Sequence, residues 1–154
     1  MKFKIVKIGK PVCREYETLV SRFEKRLKSY WKVENILLKE SESSERMVKS
    51  LSKYVPIESK SVNTFIITLD ERGKILSSPD LATKLDGIMS SGITKEIFII
   101  IGGPYGLPDE IKSVSDFTWS LSKAVFPSDL AWVITWEQVY RANAILRGSP
   151  YHHV

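Results

Sequence analysis

Glu96-Ile97-Phe98-Ile99-Ile100-Ile101-Gly102-Gly103-Pro104-Tyr105-Gly106 is the stretch on which the fold turns. Its apolar run, 97–101, is too short to cross a bilayer and has the length of a buried strand. The run breaks into a loop with glycines at 102, 103 and 106. Upstream, Thr64-Phe65-Ile66-Ile67-Thr68-Leu69 predicts a second strong strand, ending in the polar turn Asp70-Glu71-Arg72-Gly73-Lys74. Ser78-Pro79-Asp80 follows as a helix start: serine caps, proline suits the first helical position, and aspartate complements the dipole. Leu81, Leu85, Ile88 and Met89 give that helix one apolar stripe.

The same alternation extends in both directions. Residues 3–8 and 33–38 predict strands, separated by a helix of about 15–30 whose Tyr16, Leu19, Val20, Phe23 and Leu27 recur at helical spacing. A polar stretch, 39–46, leads to a short helix around Met47–Val55, and 56–63 is a loop. Beyond the glycine loop come a short helix, 108–114, a strand, 117–121, and a long helix, 129–147, stopped by Gly148. Strands alternating with helices imply an α/β domain, 1–154, with a mainly parallel sheet flanked by helices. Such sheets bind ligands at the carboxyl ends of their strands. Two predicted strands end there in glycine-containing loops, one with Gly73 and one at Gly102.

Composition narrows the function classes. The chain has 154 residues, 43% of them hydrophobic, as expected of one globular domain. A single cysteine, Cys13, excludes an internal disulfide and suits a reducing compartment. The N-terminus lacks the apolar region of a signal peptide, so the expected location is the cytoplasm, with no membrane partner. A net charge of +5 is compatible with a polyanionic partner such as RNA without demanding one.

The motifs are informative mostly by what they are not. Gly102-Gly103-Pro104-Tyr105-Gly106 lacks the Lys-Ser/Thr ending of a phosphate loop and the spacing of a dinucleotide fingerprint. It offers bare backbone beside a strand end, equally suited to a ligand's adenosine or to a tight turn. His152 and His153 stand on the tail with no Cys or carboxylate cluster, so no metal site is expected. Trp132, Trp136 and Tyr140 recur at four-residue spacing and share one helix face. Core packing or a subunit contact ranks above base stacking for that face.

Three segments together carry a resemblance. They are Ile67-Thr68-Leu69-Asp70 with Gly73-Lys74 and Pro79; Ile101-Gly102-Gly103-Pro104 with Gly106-Leu107; and Trp119-Ser120-Leu121-Ser122 through Pro127, Glu137-Gln138-Val139-Tyr140-Arg141-Ala142 and Pro150-Tyr151-His152. In order and spacing they resemble the large-subunit ribosomal RNA pseudouridine methyltransferases of the SPOUT class. The match spans nearly the whole chain and is weakest over 10–60. It implies a C-terminal trefoil knot, the opposite of the general expectation that knots are rare. It implies S-adenosyl-L-methionine as cofactor, a homodimer with sites near the subunit interface, and methylation of N3 of a pseudouridine in ribosomal RNA within the ribosome. By position, Leu69, Gly102, Leu121, Ser122, Lys123, Ala124, Val125 and Phe126 then bind the cofactor. Tyr151 and His152 take the substrate side as catalytic residues, His152 as proton acceptor or anion stabiliser, and Arg141 a structural or phosphate contact. The chain departs from the bacterial pattern at Ser128, where histidine is usual, at Trp132, where arginine is common, and at His153, often Lys or Arg. Another RNA position, or an RNA-binding module without turnover, are the alternatives.

Overall fold

The computed structural model describes residues 1–153; Val154, last residue of the predicted tail, lies outside the described residues. Five strands form one sheet in the order β2-β1-β4-β3-β5: β1 (Lys2–Ile8), β2 (Lys32–Leu38), β3 (Thr64–Ile75), β4 (Glu96–Ile101) and β5 (Phe117–Ser120). Every pairing is parallel. The crossovers are α1 (Arg14–Lys28), α2 (Ser44–Leu51), α3 (Ser78–Ser90) and α4 (Asp109–Ser113), and α5 (Ser128–Leu146) closes the chain.

Period-two alternation sorts the strands between two cores. Phe3, Ile5, Ile97, Ile99 and Ile101 face α1, α3 and α5, together with Trp119, Trp132 and Trp136. Val6, Ile8, Phe98 and Ile100 face the other way, toward Met47, Leu51 and Ile111 of α2 and α4. The central strand β4 is apolar on both faces because both are covered.

Three expectations need correction. The polar residues 70–74 do not end the strand. The ladder to β5 leaves at Leu69, and resumes at Lys74 and Ile75, which pair with Trp119 and Ser120. Arg72 N donates to Asp70 Oδ1 at 2.9 Å and tightens the excursion between them. Gly73 is required there, since a Cβ would lie 2.7 Å from the Thr118 carbonyl oxygen. The cap of α3 is Ser77, one residue earlier than expected: its hydroxyl accepts from Asp80 N, and Asp80 Oδ2 accepts from Ser77 N in return. The helix α2 starts at Ser44, capped by Ser43, within the stretch expected to be merely polar.

The helix α5 ends as expected. Gly148 has φ +64°, and Ser149 N reaches back to Ala144 O at 2.9 Å. Trp132 and Trp136 are buried in the core and Tyr140 packs at its margin, against Phe23. None of the described helices is long and apolar enough to cross a membrane.

Candidate active site

The carboxyl ends of the strands open onto one cleft of about 1120 Å³. Leu69 stands at the last ladder position of β3 before its excursion, and Gly102 directly follows β4. The segment 121–126 follows β5. The cleft is lined by Leu69, Gly102, Leu121, Ser122, Ala124, Val125 and Phe126. Lys123 alone of the expected cofactor residues is absent from that lining; it is exposed. Sheet topology explains the convergence: β4, β3 and β5 are neighbours and parallel, so their C-terminal loops emerge side by side.

The 121–126 segment is neither strand nor helix. Its bonds are local, with Ser120 Oγ donating to Ser122 O at 2.9 Å and Ala124 N donating to Ser122 Oγ at 3.0 Å. Backbone groups without ladder partners, beside the 75% exposed Val125, make a surface suited to an apolar, hydrogen-bonding ligand. The glycine loop opposite is closed by Gly106 N donating to Gly103 O at 2.9 Å. A Cβ on Gly103 would collide with the Glu40 carboxylate, and Tyr105 Oη donates to Glu42 Oε1 at 3.1 Å. The loop after β2 is thereby seated on the glycine loop.

The tail residues lie elsewhere. Tyr151 Oη donates to Glu137 Oε1 at 3.1 Å, and its ring meets Tyr140 edge-on at 4.8 Å. Arg141 Nε donates to the same Glu137 oxygen at 2.9 Å, and Arg141 lies over the Tyr151 ring. His152 Nδ1 is 3.3 Å from Arg141 Nη1. Burial, followed by the Glu137 charge, pushes the Tyr151 phenol above its ordinary value. The hydrogen bond to Glu137 raises Arg141 further still. Neither Tyr151 nor His152 lines the cleft of its own chain.

Sequence reasoning missed Lys7 and Asp129. The Lys7 ammonium is 2.7 Å from Asp129 Oδ1, with the two side chains only 1% and 8% exposed, at the edge of the cleft. The signal was available: Lys7 follows Phe3 and Ile5 on the alternating face that should be apolar.

Against this geometry stand the comparisons with known proteins. The family described as "Predicted SPOUT methyltransferase" matches residues 1–152. This chain belongs to the SPOUT methyltransferases. It is 34% identical over 157 residues to the ribosomal RNA large subunit methyltransferase H of Christiangramia forsetii, covering 99% of each chain. It is 33% identical over 159 residues to the protein of the same name from Acetivibrio thermocellus, again covering 99% of each. A probable methylase family protein from Haemophilus influenzae superposes with a TM-score of 0.59 at 12% identity, over 99% of this chain and 70% of that one. The SPOUT fold is thus established, with its parallel α/β sheet and C-terminal knot, as the resemblance implied. The β3 excursion, the glycine loop and the 121–126 segment are the parts of that fold that frame the cleft.

Proposed function

We propose that this protein transfers a methyl group from S-adenosylmethionine to N3 of a pseudouridine in large-subunit ribosomal RNA, acting as a homodimer on the ribosome. The observation that carries the proposal is the convergence of Leu69, Gly102 and the 121–126 segment on one cleft at the sheet's carboxyl edge. The relatives named as ribosomal RNA large subunit methyltransferases cover the chain end to end and supply the substrate class.

The cleft suits the cofactor. Leu69, Leu121, Val125 and Phe126 offer apolar surface, while Gly102 and Gly103 let a ligand approach the backbone. Bound there, S-adenosylmethionine supplies an electrophilic methyl group on a sulfonium. The protein's task is to hold the base in line with it and to ease loss of the N3 proton.

The tail residues suit the second task. A guanidinium only donates, so Arg141 makes Nδ1 of His152 an acceptor and leaves the ring proton on Nε2. That Nε2–H can donate to a base carbonyl as negative charge develops, which favours anion stabilisation over proton acceptance. Tyr151 stays protonated, held by Glu137, and fixes the tail. Because the tail does not line its own cleft, a second copy must bring it to one, which is the reason for the homodimer.

The test is methyl transfer from labelled cofactor to ribosomes that contain or lack pseudouridine. Label incorporated only where pseudouridine is present, and mapped to its N3, supports the function. No incorporation into pseudouridine-containing ribosomes overturns it.

A further inference from the structure

The cleft runs beyond Leu69, Gly102 and 121–126 to the carboxyl ends of β1 and β2. Its two ends differ in chemistry. The end at Leu69, Gly102 and 121–126 is apolar and backbone-lined. The opposite end lies beyond β1 and β2 and carries Lys7, Lys10, Lys39 and Glu40. Three of the five cations lining the cleft are paired with carboxylates: Lys7 with Asp129 at 2.7 Å, and Arg72 and Lys112 with the one carboxylate of Asp70 at 3.2 and 3.8 Å. Lys10 and Lys39 have no ion-pair partner among the described residues, and both are exposed. Glu40, between them and the glycine loop, has its carboxylate against Gly9 and Gly103.

The backbone under these lysines is unusually well held. Gly9 N donates to Leu38 O at 2.8 Å, which extends the β1–β2 ladder past the strand ends. Lys10 and Lys39 therefore follow the ends of two neighbouring strands, β1 and β2. The buried pair then clamps the loop on both sides of Lys10: Lys7 Nζ donates to Gly9 O at 2.7 Å, and Asp129 Oδ2 accepts from Val12 N at 2.9 Å. Pro11 restricts the backbone between them. Two ammonium groups without carboxylate partners, on a pinned backbone at the end of the cleft away from Leu69 and 121–126, match the phosphodiester chain beside a base inserted into that cleft.

We infer that Lys10 and Lys39 form the phosphate-binding edge of the cleft, gripping the RNA backbone next to the target base. This rests on the RNA substrate proposed above, but its test does not need turnover. A fluorescent RNA stem-loop is titrated with the full-length protein, without cofactor, at salt concentrations from about 50 to 200 mM. Lys10→Gln and Lys39→Gln each lower the slope of log affinity against log salt by about 0.7–0.9, and the double variant by about twice that. Cofactor affinity by calorimetry and the melting temperature stay unchanged. Lys25→Gln, on the separate shallow groove that α1 forms with Arg14 and Arg22, leaves the slope unchanged. An unchanged slope in the double variant overturns the inference, as does a loss that follows Lys25 instead. Methyl transfer to ribosomes is scored separately: its absence with the slopes reduced as stated overturns the reaction and keeps the edge. Its presence with unchanged slopes does the reverse.

Discussion

Lys7 and Asp129 form a buried ion pair, 2.7 Å apart, that ties the end of β1 to the first turn of α5. Burying two charges costs desolvation that mutual attraction only repays with good geometry and further hydrogen bonds. Both conditions hold here, through Gly9 O and Val12 N. Asp129 also sits in the first turn of a helix, where the macrodipole favours an anion.

Removing one partner strands the other. Lys7→Met or Asp129→Leu should each destabilise the fold by about 3–5 kcal/mol, read from urea unfolding. The double variant Lys7→Met with Asp129→Leu should recover most of that loss. A double-variant loss equal to the sum of the two single losses would show that the pair contributes no coupling.

Two glycines should respond oppositely to alanine. At Gly73 the new methyl meets the backbone of Thr118 and Trp119, at 2.7 and 2.8 Å, and backbone does not yield easily. Gly73→Ala should cost about 1–3 kcal/mol and weaken cofactor binding through the displaced 70–73 excursion. Gly87 is exposed in α3 with nothing within 4 Å of the new methyl. Gly87→Ala should stabilise by up to about 1 kcal/mol, measured by the same unfolding midpoint.

Tyr151 should titrate late. Burial and the Glu137 carboxylate both resist forming the phenolate, so its folded value lies above the unfolded value of about 10. The folded chain thus holds this proton more tightly. Its contribution to stability is complete below about pH 10 and is lost as pH rises through the folded value. Absorbance of tyrosinate in wild type minus Tyr151→Phe isolates the titration. Glu137→Gln should move it partway down, leaving the share due to burial.

The tail should matter for chemistry and not for cofactor. Deleting residues 150–154 should abolish methyl transfer to ribosomes while S-adenosylmethionine affinity by calorimetry remains, because neither Tyr151 nor His152 lines the cleft. Full activity in the truncation would remove both residues from the mechanism.

Much of this architecture is visible in local pattern. The run 97–101 reads as a strand buried on both faces because both alternating sets, Ile97-Ile99-Ile101 and Phe98-Ile100, enter a core. Gly148 reads as a helix stop because positive φ favours glycine. The cleft was legible only in part. Its three segments were identified by resemblance, whereas their meeting depends on β3, β4 and β5 lying side by side, in an order unlike the chain's.

What the sequence alone determined is therefore local and periodic: which stretches alternate, where helices stop, that no internal disulfide can form, and which family motifs stand at which numbers. Only the tertiary structure decided that β3 resumes past Asp70, because its partner Trp119 lies far along the chain. It alone paired Lys7 with Asp129 and set Tyr151 and His152 on Glu137 and Arg141, outside the cleft. Such contacts join residues distant in sequence, and periodicity carries no information about which distant partner a charge or a strand edge will meet.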